Sequence, residues 1–157
     1  IDRLGRRELV TVNARLRLRA EKTDDIPVIS SCLQDAIARI EDMTYIPRLH
    51  RFALVLTRFR WELANKMGKE GGERIRCGVH FDDVFRVRTQ GIEMSDGEGL
   101  LPLLAITSEE DQHGVCLTLH FAGGGAVSLE AEVVNCHLSD LDQGWPTPSL
   151  PDHGFQG

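Results

Sequence analysis

From Arg51 to Trp61 the chain reads RFALVLTRFRW, eleven residues with no glycine and no proline. Phe52, Ala53, Leu54, Val55, Leu56, Phe59 and Trp61 put apolar groups on both alternating faces of an extended backbone. Such a run is accommodated as a central strand, buried on at least one face along its whole length. Ahead of it, Tyr45 and Ile46 lead into Pro47, where the chain turns, so the preceding stretch is expected to be the partner strand of a hairpin. A central strand needs neighbours on both sides, and 157 residues suffice for one domain that buries about two-thirds of its unfolded surface.

The neighbours are legible in the same period. Arg15 to Ala20 alternates, with Leu16 and Leu18 inward and Arg15, Arg17 and Arg19 outward. A helix follows: Thr23 or Asp24 caps it, acids fill its first turn, and Pro27 falls where a missing N–H costs little. Ile26, Ile29, Leu33, Ala36, Ile37 and Ile40 recur at helical spacing. Its end is expected between Asp35 and Ile40, although Ile37 to Ile46 also reads as the start of a strand. Beyond the central run, Asn65 to Glu73 is polar and Gly-rich and reads as a mobile loop. Ile75, Cys77, Val79 and Phe81 then share one face. Asp82-Asp83 turns the chain, and Phe85 and Val87 oppose Arg86 and Arg88. A turn at Ser95 to Gly99 precedes LLPLLAIT, in which Pro102 argues for an edge or a bulge.

The clearest hairpin spans Gly114 to Val134. Val115, Leu117, Leu119 and Phe121 face inward, as do Val127, Leu129, Ala131 and Val133. Pairing Phe121 with Val127 sets His120 opposite Ser128, Thr118 opposite Glu130 and Cys116 opposite Glu132. The glycines at 123–125 permit a turn with positive φ. The expected fold is α+β, mainly an antiparallel meander of about seven to eight strands with one principal N-terminal helix. A strongly curved sheet or a partly open barrel would bury these faces. Residues 1–14 are expected as a flexible leader outside the native start, 15–143 as a single globular domain, and 144–157 as a Pro-rich extended tail.

Charge is distributed unevenly. Residues 1–90 hold all 18 Lys and Arg with 13 acids, whereas residues 91–157 hold 11 acids and no Lys or Arg. Either the two parts face each other in the fold, or the surface is two-signed and one side receives an anion or an acidic partner. No window approaches the ~18 apolar residues of a membrane span, and the N-terminus lacks the apolar region of a secretory signal, so no membrane partner and a cytoplasmic location are expected. The four cysteines form no C-x-x-C pair and are expected as reduced, mostly buried thiols. The net charge of −6 and nine aromatics, most of them in the core pattern, argue against a nucleic-acid partner.

Arg58, Arg60, Trp61 and Glu62 form the densest functional-looking group. Alternation puts Arg58 and Arg60 in one row with Glu62, and two guanidinium groups at that spacing grip one carboxylate or phosphate. Arg76, Arg86 and Arg88 extend the row if their strands are neighbours. The competing explanation is a solvated face, or arginines paired with acids of the C-terminal half. His80 and Asp82, two residues apart at a strand end, supply an acid–base pair or ion ligands, against which stands a turn capped by aspartates. Cys116 and His120 lie about 13 Å apart along a strand and cannot share a metal. The three glycines precede a strand rather than a helix and form no phosphate cradle. No catalytic residue, metal or cofactor is therefore expected, and the oligomeric state is open.

Several of these residues carry a resemblance. Leu33 to Ala36, Tyr45 to Arg48, Arg51 to Leu54, Arg58 to Glu62, Gly78 to Asp82, Gly123 to Ala126 and Leu138 to Trp145 resemble an uncharacterised, mainly alphaproteobacterial family catalogued as a domain of unknown function. The resemblance spans nearly everything from Arg15 onward. It implies a cytoplasmic protein of this size, with Val12 an alternative start, and transfers no catalytic residue. The expectation is a small bacterial binding or accessory module whose Arg-rich strand face takes an acidic protein segment or a small anion. The binding candidates are Arg58, Arg60, Trp61, Glu62, Arg76, His80 and Asp82. The alternatives are an enzyme using His80 and Asp82 beside Arg58 and Arg60, and an oligomeric structural protein without a small ligand.

Overall fold

Period-2 alternation becomes strand along most of the chain. The computed structural model describes residues 15–61, 72–93, 99–141 and 145–147. The expected leader at 1–14, the loop at 65–71, the turn at 95–98 and Glu62 lie outside the described residues, as does the tail apart from 145–147. The strands are β1 (Arg17–Ala20), β2 (Ile37–Ile46), β3 (Arg51–Phe59), β4 (Gly72–Phe81), β5 (Val84–Gln90), β6 (Leu100–Asp111), β7 (Gly114–Phe121), β8 (Ala126–Ala131), β9 (Cys136–Asp140) and β10 (Trp145–Thr147). A 3-10 turn, Thr23–Asp25, runs into helix α1 (Ile26–Cys32). No helix among the described residues is long and apolar enough to cross a membrane.

The sheet is antiparallel and ordered β1-β9-β4-β3-β2-β6-β7-β8-β5, with β10 paired to β4 off this path. Nine strands lie on the path rather than seven or eight, and the sheet is not closed. The short alternating segment Cys136–Asp140, unmarked by any long apolar run, supplies one that the sequence reading passed over. Nor is the order a simple meander. β2, β3 and β4 are consecutive, as are β6, β7 and β8, but β5 crosses to the far edge and β9 returns between β1 and β4. As expected, β3 is central, paired with β2 on one side and β4 on the other. β4 and β5 are not neighbours, so Arg86 and Arg88 do not extend a row from Arg76.

The two groups of strands meet where β2 pairs with β6 over Ile37↔Pro102, Ala38↔Leu101 and Arg39↔Leu100. Pro102 lies before the β6–β7 pairing begins at Leu103, and that pairing shifts register between Leu103 and Ala105, so the missing N–H breaks no bond to β7. Inner-face residues of both groups, among them Leu54, Val79, Leu117 and Leu129, join Ile26, Ile29 and Leu33 in one buried cluster. Each such side chain contributes about 1.5–3 kcal/mol. That packing holds a helix of seven residues, too short to persist alone. α1 ends at Cys32, earlier than the apolar spacing indicates, because Asp35 takes φ 65° and turns Ile37 into a strand. No side chain caps α1, neither the expected Thr23 or Asp24 nor Asp25 at its N-cap; Asp25 Oδ2 instead accepts the Glu21 N–H at 2.9 Å and closes the preceding 3-10 turn.

Candidate functional site

The inner row of β3 is Phe52, Leu54, Leu56 and then Arg58, so alternation carries Arg58 into the interior, not onto a surface. β9 brings Asp140 to the same place by its own alternation, Cys136, Leu138, Asp140. Arg58 is fully buried and donates from Nε and one terminal nitrogen to Asp140 Oδ1 and Oδ2, both at 2.9 Å. Leu16 N–H donates to Asp140 Oδ2 at 2.7 Å, which ties β1 to the same carboxylate. Arg60 is also buried and donates to Glu73 Oε1 at 2.7 Å. Trp61 donates from its indole to Gln34 O at 3.1 Å and sets its ring edge-on to Phe59. The Arg74 guanidinium lies over the Phe59 ring, 6.0 Å from its centroid. Burial lowers the Arg74 pKa, opposed by the charge of Asp35. Arg58, Arg60 and Trp61 therefore tie the end of β3 together, and the expectation of an exposed Arg58/Arg60 row is corrected. The pairing of an N-terminal arginine with a C-terminal acid is the competing explanation given above.

The outer face of the same strands is polar. On β4, Arg76, Gly78 and His80 alternate with buried Ile75, Cys77, Val79 and Phe81. Register sets His80 beside His137 of β9, which in turn faces Arg19 of β1, while Ala53 of β3 lies on the other side. The two imidazoles stack at 4.7 Å between centroids, with 18° between their planes. The next row is Arg17, Ser139, Gly78 and Val55, a floor of small side chains beside an arginine edge.

The chain leaves β4 through Asp82 and turns at Asp83, which has φ 65°. Arg51 grips Asp82 through Nε at 2.7 Å and a terminal nitrogen at 3.3 Å. His80 Nδ1 lies 3.4 Å from Asp82 Oδ1. His137 Nε2 is 2.9 Å from Asn135 Oδ1, and Asn135 Nδ2 donates to Asp83 Oδ2 at 3.1 Å. Burial drives the His80 pKa down, aided by the charges of Arg51 and His137 and opposed by Asp82. Burial pushes the Asp82 carboxyl up, but the Arg51 hydrogen bond and the charges of His80 and Arg51 outweigh it and hold it below its ordinary value. The pair is thus neutral imidazole beside carboxylate. The structure brings His80 and Asp82 together, while Arg76 lies further along β4, exposed.

Sequence reasoning assigned no role to Arg51, Asn135, His137 or Asp140. Asp140 was signalled by its place in the alternating Cys136–Asp140 segment. The others are joined only by strand register. No disulfide joins the four cysteines. Burial pushes the Cys77 thiol up to about 12, the charges of Asp140 and Cys32 adding to it and Arg58 opposing, and burial does the same for Cys136. Both stay protonated and unreactive near neutral pH. Among the described residues no cluster of three or more His, Cys, Asp or Glu is placed to hold a metal.

On the far group of strands, Phe85, Glu109, Glu110, Asp111, Cys116 and Glu130 line part of a groove of about 380 Å³. Glu130 there receives Arg86 and Arg88. A family model described as protein of unknown function (DUF2948) matches residues 16–153. No curated protein and no solved structure matches the chain.

Proposed function

The chain belongs to the DUF2948 family, and we propose that it is a binding module whose outer β1-β9-β4-β3 face takes an acidic segment of a partner. The observation that carries this is the sign of that face. Arg15, Arg17, Arg19, Arg51 and Arg76 stand on or beside it against Glu21 and Asp82. Arg17 and Arg19 project from an edge strand, beside Ala53, Val55 and Ser139 and the Leu141 side chain that stands over Gly78, a surface along which an extended peptide can lie. His80, Asp82 and Arg76 remain part of this surface, whereas Arg58 and Arg60 act beneath it by holding β3 and β9 in place. Four cysteines without a disulfide suit a reducing compartment such as the bacterial cytoplasm.

The His80–Asp82 contact favours a second reading, acid–base catalysis. Against it, Arg51 already occupies both oxygens of Asp82, and the pair lies on a sheet face rather than in a cleft. The test uses fluorescein-labelled polyglutamate followed by anisotropy. Wild-type protein is expected to bind it, more weakly as salt rises, and Arg17→Gln/Arg19→Gln to bind about tenfold more weakly. Equal binding by both proteins, or none by wild type, would overturn the proposal.

A further inference from the structure

The molecule carries its own acidic counterpart to the arginine edge. Glu109 and Asp111 stand two residues apart on β6, both exposed, at the mouth of the groove. Register places Glu109 beside Cys116 and Cys116 beside Glu130, which already holds Arg86 and Arg88, so the acids open to a partner are those of β6, with Arg88 also lining the groove. Phe85, 51 % exposed, offers an apolar wall. Arg17 and Arg19 stand two residues apart on exposed β1 positions, with Arg15 preceding them. Residues two apart on an extended strand are separated by roughly 6.5–7 Å in both pairs, so the two charge rows match in spacing as well as sign.

We propose that the β1 edge of one copy seats in the β5–β8 groove of a second copy, with Arg17 and Arg19 against Glu109 and Asp111. This names the acidic partner of the preceding reading and rests on it. A second copy is favoured over other acidic partners because both complementary surfaces belong to this one chain, on opposite groups of strands. Direct pairing of the two sheet edges is disfavoured. β1 presents Arg17 and Arg19, and β5 presents Arg86 and Arg88, whose shared partner Glu130 offsets only one of them. The contacts that must be exchanged are exposed and weak: Arg19 with Glu21, and Asp111 accepting the His113 N–H. A head-to-tail contact leaves a basic edge and an acidic groove at its ends, so association continues into rings or open chains.

Sedimentation velocity across a concentration series at low salt tests this. Wild-type mass is expected to climb above the monomer with concentration and to return to it as salt rises. Arg17→Gln/Arg19→Gln and Glu109→Gln/Asp111→Asn are each expected to stay monomeric alone. Mixed in equal amounts, they should form a one-to-one complex and stop there, because its two remaining ends are neutralised. That complex also shows that both variants fold. Wild-type protein that stays monomeric throughout, variants that associate as wild type does, or a mixture that forms no complex would overturn the inference. If wild type is monomeric yet still binds polyglutamate through Arg17 and Arg19, the binding reading stands and only the self-association falls.

Discussion

Arg58 is a residue whose type suggests the surface and whose position denies it. A guanidinium taken fully out of water costs several kcal/mol unless paired, and here Asp140 pairs it with two parallel hydrogen bonds while Leu16 N–H and Phe59 O take further valences. The pair adds little net stability over apolar residues, but breaking it strands a charge. Arg58→Ala or Asp140→Ala is expected to lose about 3–5 kcal/mol in urea denaturation, and Arg58→Met/Asp140→Leu to lose much less than either. Single variants within 1 kcal/mol of wild type would contradict the buried pair. The partners are 82 residues apart, so no local pattern joins them. What was legible was each half of the pair separately: Arg58 continues the Phe52, Leu54, Leu56 row, and Asp140 continues Cys136, Leu138.

Among the elements, the β7–β8 hairpin shows how faces survive an error in register. Its observed pairs are His120↔Ala126, Thr118↔Ser128 and Cys116↔Glu130, two residues displaced from the expected pairing of Phe121 with Val127. A shift of two keeps every side chain on its face, whereas a shift of one would invert them, so the inward set from Val115 to Ala131 is buried as expected. The tighter turn closes with the Phe121 N–H donating to Gly125 O at 2.8 Å, and Gly123 and Gly124 take φ 88° and 92°. Val133 is exposed and Val134 buried in its place, because β8 ends at Ala131 and the following turn changes the parity. Phe85 is exposed for a similar reason, a register shift between Val84 and Arg86. At Gly114, with φ 141°, a Cβ would stand 2.5 Å from Ala131 O, whereas at Gly123 it would meet nothing within 4 Å. Gly114→Ala is therefore expected to cost about 2–3 kcal/mol and Gly123→Ala about 1 kcal/mol. Thermal denaturation of the two variants checks the order, and a milder effect at Gly114 would contradict the close approach.

At the scale of the whole molecule, the two groups of strands share one buried cluster although their sheet connection is short. That shared core makes them one cooperative unit. Tryptophan fluorescence and far-UV circular dichroism are expected to report coincident unfolding transitions in urea; separated midpoints would mean that the groups unfold independently. The sequence by itself determined the mainly antiparallel character, the central place of β3, the N-terminal helix and most of the inward-facing set, because alternation and helical spacing are local consequences of backbone geometry. It also determined that all the Lys and Arg lie in residues 1–90, whereas acids lie throughout the chain. Strand order, the crossing of β5, and which surfaces stay open were decided only in the tertiary structure. Long-range register places His80 on His137 and Arg58 on Asp140, and register between distant strands depends on how complete inner faces pack together.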